Sequence, residues 1–273
     1  MARGLDHIVV AVHDLDAAGK SWAELGFTVT PENHHPWGTS NRLVQLDGFF
    51  VELLTVSRPD LIEEAEEGAL SFGAFNRSFL KDREGASMLV VESQSPEDDR
   101  RSFETLGLKT YVPFSFERTA TFKDGSTGKV AFDLTFVTDD LLPGLAFFTC
   151  HNRFPETFWR DEFKSHANGA ACVEKVYLVA GDPSDHHEFL GGLTGQREMR
   201  ATSLGLEMET PRGAVAVLNP AAYEFVLGPA AAKAVGSLPQ IAALEIGCKG
   251  LSERKVIPGD ELFGLSLVLT PIS

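Results

Sequence analysis

Cysteine is scarce in this chain: Cys150, Cys172 and Cys248 are the three among 273 residues. An odd, dispersed count without a CxxC pair excludes a disulfide framework and a zinc knuckle, and it fits a reducing cytoplasm. Cations are also in short supply. The 24 Lys and Arg face 39 Asp and Glu, a formal net charge of -15. That balance excludes nucleic acid and an anionic membrane as expected partners, because both need clustered Lys and Arg. Long apolar runs are missing too. Ile8 to Val12 is a short run flanked by acidic residues, neither a signal peptide nor a membrane span. The glycines form no GxGxxG after a strand and no GxxxxGK[ST], so no nucleotide cofactor is expected. A GxSxG elbow is lacking as well. What remains is an ordinary globular composition, 43% hydrophobic and 23% charged.

A unit repeats along this chain. LDHIVVAV (5–12) reads as a buried strand, and Asp14 caps a helix that ends at Gly26. FTVT follows, and then NRLVQL (41–46) and FFVELLTV (49–56) read as strands joined by an Asp47-Gly48 hairpin turn. A shift of 81 residues brings ASMLVVES (86–93) onto the first strand and Phe103-x-x-Leu106-Gly107 onto Trp22-x-x-Leu25-Gly26. Strands are expected next at 111–122, 129–137 and 144–150. A third copy begins at Val173, with a helix start at Asp182-Pro183, a helix end at Gly195 and strands near 196–201, 206–209 and 213–218. A fourth, abbreviated copy spans about 240–271. The acidic run DLIEEAEE (60–67) reads as a solvated helix.

LDHIVVAVHDLDAAGKSWAELGFTV, GTSN (38–41) and FFVELLTV together resemble the opening module of a glyoxalase-like protein of the vicinal oxygen chelate superfamily. FPETFWRDEFKSHANGA (154–170) resembles a connector of such proteins. The resemblance implies an α+β fold of four βαβββ-type modules, the last abbreviated. They would form two paired-module domains, 1–160 and 161–273, with curled mixed sheets around clefts.

The resemblance also places metal ligands on the first and last strands of each module. His7 and Glu52 occupy those positions in the first module, and a divalent ion there, Zn, Mn, Ni, Fe or Mg, would polarise vicinal oxygens. The shifted positions elsewhere hold Met88 and Lys175, and the last strands of the other modules carry no carboxylate. A mononuclear site needs at least one more ligand. His151, at the end of the second module's last strand, is the preferred candidate, with His34, His35 and His166 as others. His186 and His187 read as a solvated helix start. Glu52 lies in an apolar strand on the face of Phe50 and Leu54, so it requires a metal, a cation or a proton. Thr39 and Asn41 are candidate substrate contacts from the GTSN stretch, and Ser40 stands where similar proteins often place a histidine. Arg42 is a candidate partner for a substrate carboxylate, although alternation lets only one of Asn41 and Arg42 face inward, and Asn41 is favoured. Trp37 and Trp159 are candidate walls of an apolar pocket.

Three functions follow from the resemblance. The first is a metal-assisted isomerase or lyase acting on a small carbonyl or vicinal-oxygen metabolite, with His7 and Glu52 as ligands or Glu52 as base. The second is a metal-free protein that binds or sequesters a small molecule such as an antibiotic, or works by acid–base chemistry with Glu52 and His7 alone. The third is an extradiol-type dioxygenase, disfavoured by Lys175 and its apolar counterparts. The expected partner is a small molecule, and the assembly a monomer or a homodimer.

Overall fold

A computed structural model describes residues 1–121 and 127–273. The first module comprises strand β1 (Leu5–Ala11), helix α1 (Leu15–Glu24), β2 (Asn33–His34), β3 (Thr39–Gln45) and β4 (Phe50–Val56). Helix α2 (Phe72–Asp82) leads to the second module: β5 (Gly85–Glu92), α3 (Pro96–Thr105), β6 (Lys109–Thr110), β7 (Phe114–Thr121), β8 (Thr127–Thr138) and β9 (Ala146–Asn152). Short helices α4 (Pro155–Phe158) and α5 (Asp161–Lys164) form the connector. The third module has β10 (Ala170–Val179), α6 (His187–Thr194), β11 (Arg200–Thr202), β12 (Gly205–Glu209) and β13 (Ala214–Leu218). Helices α7 (Pro220–Leu227) and α8 (Pro229–Lys233) precede the last module, which is β14 (Gln240–Lys249), β15 (Lys255–Ile257) and β16 (Ser266–Ile272).

The local signals act as their chemistry requires. Asp14 accepts from Ala17 N at 2.9 Å and starts α1, and Ser95 caps α3 with Pro96 in its first turn. Asp182 caps a short 3₁₀ turn (Pro183–His186) before α6, which stops at left-handed Gly195. Residues 60–67 depart from expectation. A 3₁₀ turn covers only Pro59–Leu61, and the rest of the run is irregular. Glu63 and Glu66, like Glu64 and Glu67, would be like-charge neighbours one helical turn apart, and Ile62 is the run's inward anchor, beside Gly38 and Gly73. Helix α2 was not anticipated. The expected strand 111–122 appears as β7, shortened because Pro113 precedes it; residue 122 lies outside the described residues.

One mixed sheet joins all sixteen described strands, and it is not closed into a barrel. In each module the first strand pairs in parallel with the last: β1 with β4, β5 with β9, β10 with β13 and β14 with β16. The modules meet two by two through antiparallel first strands, β1 with β5 and β10 with β14. Ile241 opposite Ala86 links the two pairs. Strand alternation then sorts the side chains. Ile8, Val10, Leu89 and Val91 turn to the face covered by Trp22 of α1 and Phe103 of α3. Val9, Phe50, Leu54, Met88, Val90 and Phe148 turn to the opposite, concave face. Burial of these rings and aliphatic chains, at about 25 cal/mol per Å² of apolar surface, is the main force that curls the sheet around this face.

Candidate functional site

The concave face of the first two modules encloses a ring-lined cavity. His7 comes from β1, Asn41 and Leu43 from β3, and Phe50 and Glu52 from β4. The facing wall is built by Phe114, Phe116 and Arg118 of β7, Phe132 and Leu134 of β8, and Phe148 and Cys150 of β9. Each set is spaced by two, so each strand contributes one face. About 60 Å³ between the rings admits a water-sized molecule, room for the small reacting end of a ligand rather than for all of it.

Glu52 is 6% exposed and His7 4%. Burial pushes the Glu52 carboxyl above its ordinary value, against the pull of nearby His7 and of a hydrogen bond from Asn41. Asn41 Nδ2 donates to Glu52 Oε1 at 2.6 Å and stands 3.4 Å from His35 Nε2. His7 Nδ1 lies 2.5 Å from Asp6 Oδ1, and its Nε2 lies 3.9 Å from Glu52 Oε2. That gap is too long for a direct hydrogen bond and short enough for one ligand atom to touch both groups. The His7 ring is also stacked on Phe50, centroids 4.2 Å apart.

His35 forms the next stretch of wall. Its Nδ1 lies 2.8 Å from Thr39 Oγ1 and its ring stacks on Trp37 at 4.6 Å. Burial, then the charges of Arg118 and His34, lower its pKa to about 3, so the imidazole is neutral. Trp37 is carried into the cavity by the turn at Gly38, whose φ of 87° and approach to Arg58 O (2.3 Å from an added Cβ) leave no room for a side chain. Two polar atoms on this wall, Trp37 Nε1 and Asn41 Oδ1, are buried without a hydrogen-bond partner among the described residues.

Several sequence-named residues lie elsewhere. Thr39 acts through His35 and does not line the cavity. Ser40 turns to the opposite face, bonded to His34 and Ser57. Arg42 also points away: its Nη2 meets Asp16 at 2.6 Å. His151 is not brought to His7 and Glu52; its Nδ1 lies 3.4 Å from Asp133 Oδ2, and Asp133 faces Arg153 as well. His166 ties the connector to the first module, accepting from Thr28 N and lying 2.7 Å from Gln45 O. Trp159 backs Phe50 and Phe158 from behind. Asp6, Cys150 and Arg118 were not singled out in the sequence. The Phe114-x-Phe116-x-Arg118 alternation is the signal that carries Arg118 inward.

The donor set falls short of a divalent-metal site. At the four module positions stand His7, Glu52, Met88 and Phe148, matched by strand register, and the last two offer no hard donor. Asp6, His7 and Cys150 do cluster, with ligand atoms within 4.8 Å. However, the 2.5 Å between Asp6 and His7 is a hydrogen bond; two ligands of one tetrahedral ion stand about 3.3 Å apart. Cys150 is held as a neutral thiol, pushed well up by burial and then by Asp6, Glu52 and Asp133.

Among solved structures, a Staphylococcus aureus protein described as hypothetical is similar over 100% of both chains, at 14% identity and a TM-score of 0.76. The methylmalonyl-CoA epimerase of Mycobacterium tuberculosis matches 57% of this chain and 92% of its own, at 17% identity and a TM-score of 0.40. No curated protein sequence matches the chain. The family described as glyoxalase-like domain matches residues 5–194. That match covers more than half of the chain, which belongs to the glyoxalase-like domain family.

Proposed function

We propose that the first-pair cavity binds a small carbonyl or vicinal-oxygen metabolite and moves a proton at the carbon beside its carbonyl, an isomerase or lyase type of step run by Glu52 and His7. The observation that supports this reading is a buried carboxyl with a raised pKa on the wall of an apolar cavity, 3.9 Å from a free imidazole nitrogen. A carboxylate in such a place is a stronger base than one in water, and general base catalysis improves as its pKa approaches the working pH.

In this reading Asn41 holds Oε1 of Glu52, so Oε2 is the atom that takes the proton and returns it to carbon. Asp6 fixes the His7 tautomer, so Nε2 accepts a hydrogen bond from a substrate hydroxyl. The phenylalanine walls keep water away and preserve the carboxylate's basicity. No step passes through a metal, since the donor set is incomplete.

The second reading is a non-catalytic binding protein, and the ring-lined wall supports it. Both are tested by following deuterium uptake from D₂O at the carbon beside the carbonyl by NMR. The substrates are a 2-oxo acid, 4-methyl-2-oxopentanoate, and a neutral hydroxyketone, 3-hydroxy-2-butanone. Uptake above the uncatalysed rate, lost in Glu52→Gln, is the expected result. Binding without uptake favours the second reading. Addition of Mg²⁺, Mn²⁺, Ni²⁺, Fe²⁺ or Zn²⁺ is expected to leave the rate unchanged, and bound metal to stay below about a tenth of an equivalent after dialysis.

A further inference from the structure

The proton-moving pair does not account for Arg118 on the facing wall of the cavity. Arg118 lies on β7, on the same strand face as Phe114 and Phe116. It is half-buried, and among the described residues its guanidinium has no hydrogen-bond or ion-pair partner. Most other Arg side chains near this half of the molecule are engaged: Arg3 with Asp99, Arg42 with Asp16, Arg58 with Asp60, Arg77 with Glu64 and Arg153 with Asp133. Burial among rings pushes the Arg118 guanidinium down without a counter-charge to restore it.

Across from it, on the wall whose His35 feels the Arg118 charge and whose Trp37 packs against Phe114 and Phe116 of β7, are the two orphan atoms. Trp37 Nε1 is a buried donor, and Asn41, 7% exposed, leaves Oδ1 as a buried acceptor. A buried unpaired polar atom costs about 1–3 kcal/mol, so each is a place where a ligand gains by bonding. Contacts run from the carboxyl of Glu52 to Asn41, from Asn41 to His35 and from His35 to Trp37, with the Arg118 cation facing His35. A ligand complementary to these groups carries an anion for Arg118 and an acidic C–H for Glu52. Its sides face Phe114, Phe116 and Phe132.

We propose that Arg118, with Trp37 Nε1, is the anion receptor of this cavity, and that the ligand is a small organic carboxylate with an apolar body. The guanidinium takes the carboxylate through two parallel N–H donors, a geometry Lys cannot reproduce. This deepens the proposed function by naming its substrate class, and it rests on that reading only for the identity of the reacting carbon.

Isothermal titration compares 4-methyl-2-oxopentanoate with its methyl ester, on wild type, Arg118→Gln and Arg118→Lys, with pyruvate and phenylpyruvate as shorter and longer probes. Wild type is expected to prefer the acid over its ester by at least about tenfold. Arg118→Gln is expected to lose that preference while binding the ester as before, and Arg118→Lys to restore it only in part. Circular dichroism of each variant confirms the fold at this strand-surface position. Equal binding of acid and ester by wild type, an undiminished preference in Arg118→Gln, or no binding of any of the three carboxylates overturns the proposal. Arg118-dependent binding without deuterium uptake would overturn the proton-transfer reading and leave the receptor standing. Uptake indifferent to Arg118 would do the reverse.

Discussion

The two halves of the sheet use one plan and reach opposite ends. In the first two modules the concave face is left open and lined by His7, Glu52 and Asn41 among rings. In the last two, register puts Lys175 where His7 stands, and Ala216 and Val268 where Glu52 and Phe148 stand. Helices α7 and α8 then fill the concavity. Tyr223, fully buried, packs with Tyr177, Ala222, Leu227, Ala231 and Ala243, and its hydroxyl donates to Ala242 O at 3.3 Å. The polar groups at this rim satisfy one another: Lys175 meets Glu207 at 3.1 Å, and Tyr177 Oη donates to Glu245 at 2.5 Å. One cup keeps polar atoms without partners, and the other has traded its cavity for a core. The difference teaches that a βαβββ pair is a scaffold whose chemistry depends on what occupies its concave face.

The comparison breaks most sharply at the carboxyls. Glu52→Gln is expected to lower deuterium uptake by about 10²- to 10⁴-fold with ligand binding kept, whereas Glu245→Gln in the filled cup leaves uptake unchanged. NMR exchange rates and titration check both. Equal losses in the two variants would erase the distinction drawn between the cups.

Packing gives the next largest contrast. Tyr223→Ala empties the filled cup and is expected to cost about 3–5 kcal/mol in urea unfolding. Phe116→Ala, on the open cavity and partly exposed, is expected to cost less than half as much. A similar cost for both would mean that the first cavity is as tightly packed as the second.

Acid tests the open cup's buried imidazole. His35 has a folded pKa of about 3 against 6.5 ordinarily. The unfolded chain thus binds more protons between those values, and stability falls as pH drops from 6.5 toward 3. The effect is on the order of 2 kcal/mol once partial solvent contact is allowed for, and His35→Gln should flatten the slope. Glu52 acts in the opposite direction. Its raised folded pKa makes the native state hold a proton more readily, so its contribution is present at low pH and is lost as pH rises above 4.5 through the folded value. Glu52→Gln should remove that loss. Melting curves across this range measure both.

The smallest effect is at Arg42. Its exposed partner Asp16 makes the bridge worth less than about 1 kcal/mol. Arg42→Ala is expected to leave carboxylate binding as it was, in contrast to Arg118→Gln.

Much of the fold was legible because its signals are local. Asp14, Asp47-Gly48, Ser95-Pro96 and Gly195 act within a few residues of themselves, and strand alternation needs only neighbours. The exceptions were segments decided by distant partners. Residues 60–67 have helical composition without a face to bury, and α2 lies where no repeat predicted it. The site divided in the same way. His7, Glu52 and Asn41 could be read from strand parity within one module. Arg118, Cys150 and the phenylalanines of β7 and β8 arrive from the second module, and no pattern in the first points to them. Arg42 had the right chemistry for a carboxylate and the wrong parity.

The sequence by itself determined the repeat, the inward pair His7 and Glu52, and the incompleteness of the metal positions, because each follows from residue type at fixed spacing. Only the tertiary structure decided that His7 spends one nitrogen on Asp6, that Arg118 of β7 lines the same cavity as His35 and Asn41, and that α7 closes the second cup. Those outcomes depend on which strands meet across the sheet and how much water is left between them, and both are set by packing of the whole chain.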